Sequence, residues 1–173
     1  MKTDKLKKIV ISRHPNEYFC HVYFVYKIAR KLQKIYGGNP QVIIAAALLH
    51  DIGRDVGDKP HELVGGQIAK KELTRRGYKP EIIEKVVSCI SSHNSKTENP
   101  KTIEQKIVAS ADGASRVIYA HIFSLLSKEG PKDKPAWILK HIERGYSRIC
   151  LPDYKEKIKP DYLKIKKIYQ EII

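Results

Sequence analysis

Apolar residues recur three or four positions apart along nearly every long segment of this chain, and strict apolar-polar alternation is hard to find, so the pattern predicts an all-α fold. A first helix is expected over residues 16–36, with Val25, Ile28, Ala29 and Leu32 as its inner stripe, ending at Gly37 and Gly38, where a left-handed cap fits. Asn39 as N-cap and Pro40 in the first turn open a second helix over residues 41–50. This helix is apolar almost all round from Val42 to Leu49, which marks it as central. Residues 53–60, rich in glycine and charge, form a loop, and a third helix follows over residues 61–76, closed by Gly77. Pro80 opens a fourth, with the stripe Ile82, Ile83, Val86, Val87 and Ile90, before a polar loop over residues 94–101. Thr102 caps a fifth that carries Ile103, Ile107, Val108 and Ala111 inward and runs past Val117. Further helices are expected near residues 135–147 and 160–172. There is no internal repeat and no interdomain linker, and 173 residues can enclose a core without staples, so one domain over residues 1–173 is expected.

Composition narrows the picture. Hydrophobic residues at 42% and charged residues at 30% suit a water-soluble globular chain, and no apolar run approaches the roughly 20 residues that span a bilayer. The first fifteen residues offer only Ile9, Val10 and Ile11 as an apolar stretch, too short for a secretory signal, so a cytoplasmic protein without a membrane segment is expected. Cys20, Cys89 and Cys150 are odd in number and far apart, which suggests neither disulfides nor a zinc knuckle; each is expected to be reduced and to pack as a small hydrophobe. The net charge of +14 would draw phosphorylated small molecules or nucleic acid toward any cleft, and sign alone does not choose between them. The lysines between Lys155 and Lys167, spaced among Ile158, Leu163, Ile165 and Ile168, are expected to form a solvated helix face.

Extending each apolar stripe by one helical step reaches the residues that carry chemistry. His21 lies four before Val25, His93 three after Ile90, His61 three before Val64, and Asp112 four after Val108, while His50 and Asp51 end the most apolar helix. Taken singly, a histidine on an apolar face is ordinarily a satisfied core residue. Two buried carboxylates among four inward histidines, with few lysines or arginines on the same faces, are costly unless a cation accompanies them. Imidazole nitrogen with carboxylate oxygen and no thiolate suits a divalent iron, manganese, zinc, cobalt or nickel ion.

These residues resemble a known family. His21, then His50 and Asp51 within Ala45-Ala46-Ala47-Leu48-Leu49-His50-Asp51-Ile52-Gly53-Arg54, then Asp112, are similar to the H…HD…D signature of the HD-domain superfamily across residues 18–117, which leaves residues 118–173 to complete the bundle. The resemblance implies a metal-dependent phosphohydrolase with His21, His50, Asp51 and Asp112 as metal ligands. His61, followed by Gly65 and Gly66, together with His93, is similar to the dinuclear branch, in which Asp51 would bridge two ions with His61 and His93 on the second. Arg54 stands where that family often has lysine and would grip a substrate phosphate with a bidentate fork, and Gly113 replaces a commonly bulkier residue. Asp55 could orient water or substrate, although an ordinary loop acid is the simpler reading. His14, His121 and His141 fall outside the pattern, and Trp137, Tyr146, Tyr154, Tyr162 and Tyr169 are expected to pack the later helices.

The expected chemistry is attack of a metal-activated water on a phosphate mono- or diester, of a nucleotide or similar small molecule, with Asp51 and Arg54 at its centre. Two other classes stay open: a di-iron oxygenase with the same ligand arrangement, and, less favoured, a basic nucleic-acid-binding module with a structural metal. Substrate, metal identity, one ion or two, and oligomeric state are not legible.

Overall fold

A computed structural model describes residues 2–13, 17–54, 60–94, 98–126 and 133–173. Within them the chain is helical and without strands: α1 (Lys2–Arg13), α2 (Glu17–Tyr36), α3 (Pro40–Leu49), α4 (His61–Arg75), α5 (Pro80–Ser92), α6 (Ile103–Ile118), α7 (Ala120–Leu126), α8 (Lys134–Ser147) and α9 (Pro152–Ile172). None of these helices is long and apolar enough to cross a membrane.

The apolar stripes explain the packing. Val42, Ile43, Ala45, Ala46, Ala47, Leu48 and Leu49 of α3 are all buried, so this helix is covered on every side, by α1, α2, α5 and α6. Asn39 caps it by accepting from the Gln41 and Val42 amides, and Pro40 sits where no intrahelical N–H is needed. At α6 Thr102 and Gln105 form a reciprocal capping box. Gly37, Gly38 and Gly77 have positive φ, as the helix stops before them require.

Around α3 the core divides into two clusters. One joins Leu6 and Val10 of α1 to Leu48, Leu49, Leu73, Ile83, Val86 and Ile90. The other joins Val25 and Leu32 of α2 to Ile107, Ala111, Val117, Ile138, Ile142 and Ile158. Helices α2 and α3 supply residues to both.

Three elements differ from the sequence expectation. Helix α1 was not foreseen, because its inward positions Leu6 and Val10 make too short a stripe among lysines to stand out. The short α7 was not foreseen either. Helix α9 begins at Pro152, and Pro160 lies inside it. Buried Ile158 and the partly buried Tyr154, Tyr162, Ile165 and Tyr169 form one continuous stripe on the second cluster, and that packing outweighs the hydrogen bond Pro160 cannot donate. Its lysines Lys157, Lys159, Lys164 and Lys167 are solvent-exposed, and so are Leu163 and Ile168. Tyr146 stacks on Tyr162 with ring centroids 4.2 Å apart, as aromatic packing of the later helices requires. Cys89 is buried, whereas Cys20 and Cys150 are only partly so.

Candidate metal centre

Asp51 follows the C-cap of α3 and is buried among four imidazoles. Its Oδ1 lies 3.3 Å from His61 Nε2 and 3.5 Å from His93 Nε2. Its Oδ2 lies 3.5 Å from His21 Nε2 and 3.6 Å from His50 Nε2. The two ends of one carboxylate thus face two histidine pairs carried by different helices. His21 comes from α2, His50 caps α3, His61 opens α4 and His93 caps α5.

The local fold dictates these positions. Gly53 lies against the start of α4, where an added Cβ would stand 2.4 Å from the His61 carbonyl oxygen and 2.6 Å from Gly65 N. A side chain at Gly53 would push His61 away from Asp51, so the glycine after the histidine-aspartate pair is what lets the two helices touch.

In every imidazole Nδ1 faces a separate hydrogen-bond partner. His50 Nδ1 is 3.0 Å from the Ala47 carbonyl and His93 Nδ1 is 2.6 Å from the Ile90 carbonyl. His61 Nδ1 is 3.2 Å from Glu62 Oε2. Ser115 Oγ donates to the Asp112 carbonyl at 2.8 Å and so accepts from His21 Nδ1 at 3.3 Å. With the protons on Nδ1, all four Nε2 atoms present lone pairs toward Asp51. His50 Nε2 and His21 Nε2 are only 3.1 Å apart, and two lone pairs at that distance repel unless a cation or proton lies between them. Burial, reinforced by His21 and His93, pushes the His50 imidazole down to about 3 against the pull of Asp51 and Asp112, so it is neutral at ordinary pH. Burial works to raise the Asp51 carboxyl, but His50 and Arg54, with His61 and His93, outweigh it and hold it well below the usual carboxylate range.

This donor set fits a metal. Asp51 Oδ1, His61 Nε2 and His93 Nε2 are buried without a hydrogen bond, a cost that a divalent ion relieves. Among the described residues, His21, His50 and Asp51 form one group of potential ligands, and Asp51, His61 and His93 form a second, each with its atoms within 4.8 Å of one another.

Asp112 belongs to neither group. Its Oδ1 is 3.1 Å from His21 Nε2 and 3.9 Å from His50 Nε2, but Arg116 Nη2 donates to the same oxygen at 3.1 Å and Arg148 Nη1 donates to Oδ2 at 3.0 Å. The expectation that few arginines share these faces is therefore corrected: Arg116 stands one helical turn after Asp112, and Arg148 arrives from the end of α8. Burial opposes ionisation of Asp112, while Arg116, then His21 and His50, overcome it and hold the carboxyl well below its ordinary range.

Arg54 Nε lies 2.6 Å from Asp51 Oδ2, so this arginine meets the site through the aspartate. Asp55 and His14 lie outside the described residues. His121 is exposed on α7, away from the other histidines' buried faces. His141 does not stand apart as expected. Its ring lies 3.4 Å from Arg116 Nη1, stacks on Trp137 at 4.8 Å and meets Phe123 at 4.8 Å. Burial and Arg116 push it down to about 3. Glu62 was missed as well; its carboxylate orients His61, and its pattern in sequence is that of any helix-opening acid.

Gly113 explains how α8 gains access. A Cβ there would stand 2.4 Å from the Gly145 carbonyl oxygen, and one at Gly145 would stand 2.7 Å from Arg116 Cβ. The two glycines let α6 and α8 cross in backbone contact, which brings His141 and Arg148 beside Asp112.

Residues 18–117 match the HD domain family. The chain is 35% identical over 107 residues to a ribonuclease Y of Rubrobacter xylanophilus, covering 60% of this chain and 19% of that protein. It is 29% identical over 151 residues to a tRNA (cytidine(56)-2'-O)-methyltransferase of Picrophilus torridus, covering 75% of this chain and 41% of that protein. It thus spans well under half the length of these curated relatives. A crystal structure of a predicted HD superfamily hydrolase from an uncultured Thermotogales bacterium superposes with a TM-score of 0.62 over 92% of both chains at 19% identity, a likeness of fold.

Proposed function

The chain belongs to the HD domain family, and from that premise we propose that it is a metal-dependent phosphohydrolase acting on a phosphate mono- or diester of a nucleotide-like substrate. The observation that carries this reading is the convergence of four Nε2 atoms on the two oxygens of Asp51. His21, His50 and Asp51 would hold one ion, with Asp112 completing the set through the oxygen that already reaches His21. His61 and His93 would hold a second ion that shares Asp51. Divalent ions bound there supply Lewis acidity, bringing a water's pKa near neutrality and offsetting charge on the phosphate.

The chain's own residues do the rest. The carbonyls of Ala47 and Ile90, Glu62 and Ser115 fix each imidazole in the ligating tautomer. Asp51 stays ionised and ties the two groups together. Arg54, anchored at Asp51 and partly open to solvent, holds a non-bridging phosphate oxygen. The net charge of +14 concentrates anionic substrate near the site. Similarity to a protein named as a ribonuclease is a reason to try short RNA beside nucleotides.

The test is metal content and anaerobic hydrolysis. Purified protein supplied with manganese or iron should bind one or two ions and release phosphate or nucleotide without oxygen, and Asp51→Ala should lose both the ions and the hydrolysis. Full activity in Asp51→Ala would sink the site, and oxygen uptake without phosphate release would transfer the reading to an oxygenase.

A further inference from the structure

The arginine pair at Asp112 is more than that carboxylate needs. Arg116 and Arg148 bring two positive charges to one negative charge, in a place where Arg116 is 9% exposed and the Arg148 side chain 16%. Burying a cation without a full counter-charge is costly unless an anion completes it. The donors are also in surplus. Arg148 makes one hydrogen bond to Asp112, through Nη1. Arg116 spends Nη2 on Asp112 and turns Nη1 to the ring of a neutral His141, while its Nε is buried with no partner. Should Asp112 also share its charge with an ion, the surplus grows.

The pair lies at one end of an ordered line. His61 and His93 flank Asp51 Oδ1, His21 and His50 stand between Asp51 Oδ2 and Asp112 Oδ1, and the two guanidinia close the far side of Asp112. Arg54 and the Arg116 and Arg148 pair therefore approach the line at different carboxylates. Arg148, His141 and Trp137 all come from α8, beyond residues 18–117. This end of the site thus joins Arg116, inside the stretch that matches the family, to Arg148 outside it.

We propose that Arg116 and Arg148 form a second anion subsite, so that the substrate carries two phosphate groups: one placed at the Asp51 centre and the other against these two guanidinia. This deepens the phosphohydrolase reading and rests on it. The second phosphate belongs either to the same small molecule, as in a diphosphate or bisphosphate, or to the next diester of an oligonucleotide. A planar guanidinium donates two parallel hydrogen bonds to such a group, and two guanidinia at a low-dielectric wall discriminate strongly between a ligand that has it and one that does not.

The test uses ligands with no ester to cleave. Calorimetric titration of the manganese-loaded protein with methylphosphonate, which has one anionic group, and with propane-1,3-bisphosphonate, which has two, should show the second binding about tenfold tighter or more. Arg148→Met should erase that preference while holding methylphosphonate affinity within about twofold and leaving the bound manganese unchanged. Arg148→Lys, which keeps charge but not the fork, should fall between the two, and circular dichroism confirms that both variants fold. Displacement of the bisphosphonate by adenosine diphosphate or by a short oligoribonucleotide tells which source supplies the second group. Equal affinity for the two phosphonates in the wild type, or equal loss of both in Arg148→Met, overturns the subsite. Protein that takes up no manganese and binds neither phosphonate overturns the metal-centre reading instead.

Discussion

A glycine beside a chemical residue can matter as much as the residue. Gly113 follows Asp112, and the backbone of α8 passes where its side chain would stand. Gly113→Ala forces a Cβ onto the Gly145 carbonyl, and with backbone on both sides neither helix can yield by a rotamer change. We expect a loss of about 2–3 kcal/mol in denaturant unfolding, at the upper end of overpacking costs, with Arg148 withdrawn from Asp112. A variant as stable as the wild type would show that the crossing is looser than described. From the sequence Gly113 stood out only as a departure from a pattern, because its partner Gly145 lies on another helix and no local periodicity links them. His21, His50, Asp51, His61 and His93 were legible for the opposite reason. Each is one helical step from an apolar stripe, so burial and direction followed from spacing alone. Arg116 was legible in the same way, four residues past Asp112, but a buried arginine was not expected on an apolar face. Arg148 and His141 required the fold.

At the level of the helix, α3 shows how much rests on its ends. Its interior is apolar throughout and would bury itself in any compact arrangement, so what sets the direction of His50 and Asp51 is where the helix begins and stops. Asn39 fixes the beginning by accepting two amide hydrogens, and its own amide donates to Glu104 of α6 at 3.0 Å, tying the start of α3 to the neighbouring capping box. Asn39→Ala should cost about 1–2 kcal/mol in chemical denaturation, and Asn39→Asp should restore most of it. Equal destabilisation by both variants would assign the effect to the backbone. The helix ends were read well wherever glycine, proline or threonine marked them, the stop at Gly37 and the starts at Pro80 and Thr102. Pro160 misled, because a proline reads equally as a first-turn residue or as an interior one, and only packing on the second cluster decides.

Across the whole molecule, the shifted imidazoles and carboxylates, which govern proton binding below neutral pH, share one sign. His50 and His141 are pushed from 6.5 to about 3 in the folded chain, and Asp51 and Asp112 are held below their ordinary range. In each case the unfolded chain binds protons before the folded one does. Stability is therefore full above pH 6.5 and falls as pH drops toward 3, first through the two imidazoles and then, below the ordinary carboxylate range, through the aspartates. Between pH 7 and pH 5 the metal-free protein should lose about 2 kcal/mol for each of these histidines, read as a falling midpoint in urea. A midpoint independent of pH over that interval would mean that neither ring is buried neutral.

The division of the core gives the site a mechanical meaning. His61 and His93 ride on helices of the first cluster, whereas Asp112 and Arg148 ride on helices of the second. The place where the chain would do its chemistry is thus also the seam of the bundle, and a ligand seated there works as a clasp between two halves that otherwise meet along α2, α3 and α6. Grip and reactivity are then one property: whatever parts the halves also pulls the donors from one another.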